Sequence, residues 1–182
     1  VKKRVQNEQN NHRLYTQLID AVNEPKLSQE VIKVTYEVVK QCLVNVDHAL
    51  ASTTHRAILK TLGNWLGSVT LARNKPLVSK KIDLKGLLFE AYESATLTAV
   101  LPLVCKIMEG VEPSKVYKMP NPWTTAVMVL LAEIHDLPGL RTNLMFEVEV
   151  LCNHLNIRLG ELPRSRSLKG KVPLNSHDFS GK

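Results

Sequence analysis

Aromatic residues are scarce in this chain, at 5% of 182 positions, and only eight glycines and three cysteines are present. Few aromatics and abundant Leu, Val and Ala disfavour a β-sandwich and favour helices. Cys42, Cys105 and Cys152 are odd in number and far apart, with no CxxC pair. That excludes a disulfide framework and a thiolate zinc knuckle, and each reads as a buried thiol in a reducing compartment. No N-x-S/T sequon, no signal peptide and no apolar run long enough to cross a bilayer occurs. The expected setting is cytoplasmic and also nuclear, away from membranes.

Catalytic signatures are missing too. There is no Gly-rich phosphate loop, G-x-S-x-G or H-E-x-x-H. Two of the six histidines, His48 and His55, straddle a helix break; Cys152 and His154 fall on different helix faces. Glu147 and Glu149 cannot point the same way on a helix and read as solvated carboxylates. No metal, cofactor or catalytic set is expected.

A net charge of +7 invites a nucleic-acid reading. Its distribution weakens it. Lys2, Lys3 and Arg4 carry three charges. Five bases against Asp178 in Pro163–Lys182 carry the other four, so the body between is neutral.

What is present is helical periodicity almost throughout. Leu14, Leu18, Ile19 and Val22 form a first stripe, ended by Asn23-Glu24-Pro25. Ser28 can cap a helix carrying Val31, Val34, Val38 and Cys42. Ser52–Thr54 open a third, with Ile58, Leu62, Trp65, Leu66 and Val69 on one side. Asn74 to Asp83 reads as a loop. Helices are expected over Leu84–Glu93 and Leu97–Glu109. Asn121 caps a helix starting at Pro122 and running to Asp136. Leu140 to Leu155 form the last long stripe, and Leu159–Leu162 a short turn. The segment from Pro163 reads as a disordered or extended tail.

The sum is an all-α domain of about seven helices over residues 1–162. Hairpins are expected to join the first helix with the second, the third with the fourth and the fifth with the sixth. The period of roughly 40 residues matches a HEAT-like repeat, and a helical bundle is the alternative. Gly63 and Gly67, four apart beside Trp65, are expected to admit a neighbouring helix closely. Trp65 and Trp123 are assigned to the core. Stacked helix pairs without catalytic groups favour a binding scaffold. The basic, proline-closed loop Arg73-Asn74-Lys75-Pro76 with Lys80, Lys81 and Asp83 is the first candidate contact.

The blocks "LKTLGNWLGSVTLARNKPL", "KMPNPWTTAVMVLLAEIH", "LMFEVEVLCNHLNI" and "NNHRLYTQLIDAV" resemble the central domain of the large scaffold subunit of the CCR–NOT deadenylase complex. The matching blocks span most of Val1 to Leu162. The resemblance implies the fold named after the middle segment of translation initiation factor four-gamma, lacking its first helical hairpin here. It implies a non-enzymatic scaffold that couples messenger RNA deadenylation to translational repression and decay. Two direct partners follow, a Caf-type poly(A) deadenylase and a DEAD-box RNA helicase, with other CCR–NOT subunits reached through the rest of the scaffold. The resemblance assigns the loop residues Arg73, Asn74, Lys75, Pro76, Lys80, Lys81 and Asp83, with His12, Arg13 and Tyr15, to the helicase. The deadenylase is expected on the last three long helices, with Met108, Val111 and Tyr117 as candidate contacts. The alternative is a basic helical repeat that binds RNA directly through Lys2–Arg4, Lys80, Lys81 and the tail.

Overall fold

The computed structural model describes residues 2–180, with side chains from residue 4 onward. Among the described residues the chain is all-α, with nine α-helices joined by short 3-10 turns and irregular links, and no strand beyond one isolated bridge. They are α1 (Lys2–Asn7), α2 (His12–Val22), α3 (Pro25–Val44), α4 (Val46–Ala51), α5 (Thr53–Val69), α6 (Leu84–Glu93), α7 (Leu97–Met108), α8 (Pro122–His135) and α9 (Thr142–His154). The seven long ones are those the periodicity gives. The additions, α1 and α4, have six residues each, too few for a stripe to show.

Local chemistry sets several ends. Ser52 accepts a hydrogen bond from the His55 amide, Asp83 from Lys85, and Asn121 from both Trp123 and Thr124. At α3 the cap is Glu24, which accepts from the Lys26 amide, with Pro25 as first helical residue. Ser28, the expected cap, lies inside the first turns.

α7 is the centre. Every residue in it except Lys106 is buried, and its largest interface is with α5. Gly63 and Gly67 make that crossing. A Cβ on Gly63 would lie 2.6 Å from the Leu103 carbonyl oxygen, and one on Gly67 would collide with that of Ile107. The two helices therefore touch backbone to backbone. Trp65 fills the opposite side of α5, its indole N–H donating to Thr35 Oγ1 at 3.0 Å and its ring lying 5.2 Å from His12.

The hairpin register differs from the expected one. α6 pairs with α7 and α8 with α9, whereas α5–α6 and α7–α8 touch little; α3, α5, α7 and α9 pack in succession. Link length explains it. Ser94-Ala95-Thr96 turns the chain in three residues, with Ala95 at φ 56°, and the six-residue link after α8 turns at Gly139, φ 78°. The longer links after α5 and α7 carry the chain away before the next helix starts.

Two further expectations are corrected. Leu14 and Leu18 of the α2 stripe are 59% and 58% exposed, while His12, Tyr15 and Ile19 turn inward. Residues 163–180 are irregular but not detached. Leu168 is buried, and Asp178 is fully buried. Asp178 accepts from the Leu97 and Thr98 amides, each at 2.9 Å, and from the Thr98 hydroxyl at 2.8 Å, capping α7 from 80 residues away. Leu140 and Phe179 form an antiparallel bridge.

Candidate docking surface

The helicase candidates divide into latches and exposed groups. Asn74, in the left-handed region at φ 58°, aims its Oδ1 at Ser114 Oγ (3.0 Å) and the amides of Lys115 (2.8 Å) and Val116 (3.1 Å). It ties the two longest interhelical links together. Arg73 pairs with Asp20 of α2 at 2.7 Å and donates to the Thr16 and Ser68 carbonyls. Asp83 caps α6. Between these latches the loop leans on the body through the buried Ile82 and through the Val78 amide, which donates to the Tyr36 hydroxyl at 3.0 Å. Burial pushes the Tyr36 phenol above its ordinary pKa. Pro76, Lys80 and Lys81 are left exposed and Lys75 half-buried.

The structure brings the α2 candidates to the same region. His12, Arg13, Thr16, Asn64, Ser68 and Arg73 line one open polar recess. Arg13 faces solvent there. His12 is buried, its ring bonded to the Val5 carbonyl (2.9 Å) and to Asn64 Oδ1 (3.3 Å), so it supports the recess rather than offering a contact. Tyr15 is half-buried, and its hydroxyl donates to Glu8. That bond, above all, holds the Glu8 carboxyl below its ordinary pKa.

Of the expected deadenylase contacts, two lack the exposure that the sequence reading gave them. Met108 and Val111 are buried core residues, and nearly all of α7 is unavailable. Tyr117 is half-buried, its ring edge-on to Trp123 at 5.8 Å. Trp123, expected in the core, is itself half-buried at the start of α8. The surface on this side comes from α9, where Phe146 and Val150 are 58% and 51% exposed. They lie four residues apart, on one helix face. The signal was in the sequence, since both fall out of phase with the inward stripe Leu144, Val148 and Leu151. Glu147 and Glu149 are paired rather than merely solvated, with Lys60 of α5 at 2.5 Å and His135 of α8 at 3.1 Å.

Nothing in the described residues assembles chemistry. No group of three or more His, Cys, Asp or Glu residues could hold a metal ion. His48 and His55 do meet, their rings 6.0 Å apart. The Cys105 and Cys152 thiols are buried, which pushes their pKa values up, that of Cys152 to about 11, opposite to the shift a nucleophilic thiol needs. No described helix is long and apolar enough to cross a membrane.

Comparison with known proteins gives the family. The family model described as the CCR4-NOT transcription complex subunit 1 CAF1-binding domain matches residues 1–177. It thus runs through the segment after Pro163 as well as the helices. The chain is 38% identical over 173 residues to CCR4-NOT transcription complex subunit let-711 of Caenorhabditis elegans, covering 93% of the chain and 7% of that protein. It is 36% identical over 172 residues to general negative regulator of transcription subunit 1 of Schizosaccharomyces pombe, covering 94% and 8%. With the Saccharomyces cerevisiae protein of the same name it shares 37% identity over 165 residues, covering 91% and 8%. The chain therefore spans less than a tenth of the length of these relatives.

Proposed function

Because the chain belongs to the CCR4-NOT transcription complex subunit 1 CAF1-binding domain family, we propose that it is a scaffold module, not an enzyme, that docks a Caf-type poly(A) deadenylase. The family match over residues 1–177 carries this reading. The exposed Phe146 and Val150 of α9 supply an apolar anchor of the kind that dominates docking energies. We place the helicase on the other candidate surface, formed by Arg13 with Lys75, Pro76, Lys80 and Lys81. Support for it is the latching of the loop to α2 through Arg73 and Asp20. A held loop loses less entropy on binding than a free one. Tethering both partners makes tail shortening and translational repression act on the same messenger, because linkage raises their effective concentration.

Two double variants test the assignment. Phe146→Glu with Val150→Glu should abolish capture of the deadenylase and leave helicase capture intact. Lys75→Glu with Lys81→Glu should do the reverse. These side chains are exposed or half-buried, so helicity should be unchanged. Undiminished deadenylase capture by the first variant would remove α9 from the interface.

Direct RNA binding has less to draw on. Arg164 and Lys171, two bases of the segment it invokes, are each paired at 2.5 Å, with Asp136 and Glu93. The side chains of Lys2 and Lys3, and Lys182, lie outside the described residues.

A further inference from the structure

Residues 163–180 are attached to the body at two separate places. The far attachment is Asp178 on α7, with the Lys171–Glu93 pair beside it. The near attachment is made by the Arg164–Asp136 pair at 2.5 Å and, for the turn that follows, by the carboxylate of Glu133 of α8. Its Oε2 accepts from the Ser167 amide at 3.1 Å and from the Ser165 hydroxyl, and its Oε1 accepts from the Leu168 amide at 2.9 Å. The Ser167 hydroxyl donates to Ser165 Oγ at 3.1 Å. Three donors of one turn thus converge on one negative charge, and Leu168 is buried behind them.

This turn has a basic approach. Arg164 and Arg166 stand three and one residues before Ser167, and all three are exposed, the Arg164 guanidinium being bonded to Asp136 and to the Leu159 and Leu162 carbonyls. Residues 163–166 have no regular secondary structure. An exposed serine following two arginines in irregular backbone is what a serine kinase with an acidic substrate groove can bind in extended form.

We propose that Ser167 is a phosphorylation site for an arginine-directed serine kinase, and that its modification detaches the near end of the 163–180 segment from Glu133. The γ-phosphoryl group of ATP passes to Ser167 Oγ, the hydroxyl proton is released and ADP leaves. The product carries nearly two negative charges at pH 7. Its backbone amide is bonded to Glu133, so phosphate and carboxylate are held within a few ångströms of each other, with Asp136 beside them on Arg164. Like charges at that distance repel, and Arg164 gains a second anion to serve. The hydroxyl-to-hydroxyl bond with Ser165 is lost as well. The far attachment does not involve Glu133 and stays in place. Phosphorylation thus frees the turn of residues 165–168 from α8, leaving the segment held by the Arg164–Asp136 pair and by its C-terminal clamp.

The test uses the full chain, treated with ATP and the catalytic subunit of cyclic-AMP-dependent protein kinase as the arginine-directed probe. Phosphate is mapped by mass spectrometry and amide exchange is measured before and after. One phosphate on Ser167 is expected, absent in Ser167→Ala. Exchange across residues 164–171 should rise about tenfold or more, as for a locally opened segment, while that of α7 and α8 stays unchanged. In Glu133→Gln, which keeps an acceptor without the charge, the rise on phosphorylation should be much smaller. No incorporation, incorporation at Ser165 instead, or unchanged exchange in the phosphorylated chain would overturn the proposal.

Discussion

Gly67 shows what a single hydrogen atom in place of a methyl group can decide. In an isolated helix alanine would be better by about 1 kcal/mol. Here an added Cβ meets the Ile107 carbonyl of α7, a main-chain atom that cannot rotate away. Overpacking of that kind costs about 1–3 kcal/mol, and with backbone on the far side the upper end applies. Gly67→Ala should therefore lose about 2 kcal/mol net in a urea titration. Gly160→Ala, with nothing within 4 Å of the added atom, should be neutral. The pair Gly63 and Gly67 was legible in the sequence as a close-approach face, because the spacing of four fixes the side on which both lie. Which helix would approach was not legible. Nor was the inward turn of Met108 and Val111, since a helix buried all round offers no polar face from which to read its direction.

At the scale of elements, long helices with regular stripes and capping residues were readable from sequence alone, as α5 and α8 show. Contacts between distant segments were not. The segment after Pro163 has few large apolar residues, and composition alone reads that as disorder. It is held by Asp178 filling the open end of α7 and by Glu133 and Asp136 at its near end, and nothing in the local sequence around Asp178 marks it as a cap for Leu97 and Thr98. Asp178→Ala should cost about 1–2 kcal/mol in thermal or denaturant unfolding, the loss of a cap. Amide exchange should quicken first at Leu97 and Thr98. The Arg164–Asp136 contact adds a pH dependence. A hydrogen bond from His135, then Arg164, holds the Asp136 carboxyl below its ordinary 3.8 against the opposing effect of burial. A carboxyl depressed in the folded state stabilises it above the unfolded pKa, and the contribution fades as pH falls through the folded value. The Tm difference between the chain and Asp136→Asn should therefore be steady above about pH 5 and shrink below about pH 4. A difference that grows on acidification would mean that Asp136 is not held ionised.

For the molecule as a whole, two faces of one helical stack are the proposed docking surfaces. In the stack α7 is enclosed by α5, α6 and α9. On this proposal a shared helical core would link a partner on α9 to one on the loop after α5. The deadenylase face carries the central claim, and isothermal titration of the full chain with a purified Caf-type deadenylase tests it most directly. Saturable binding near one to one is expected, lost in Phe146→Glu/Val150→Glu and insensitive to Lys75→Glu/Lys81→Glu. No heat of binding from a folded, helical sample, with saturable binding of RNA in the same buffer, would contradict it.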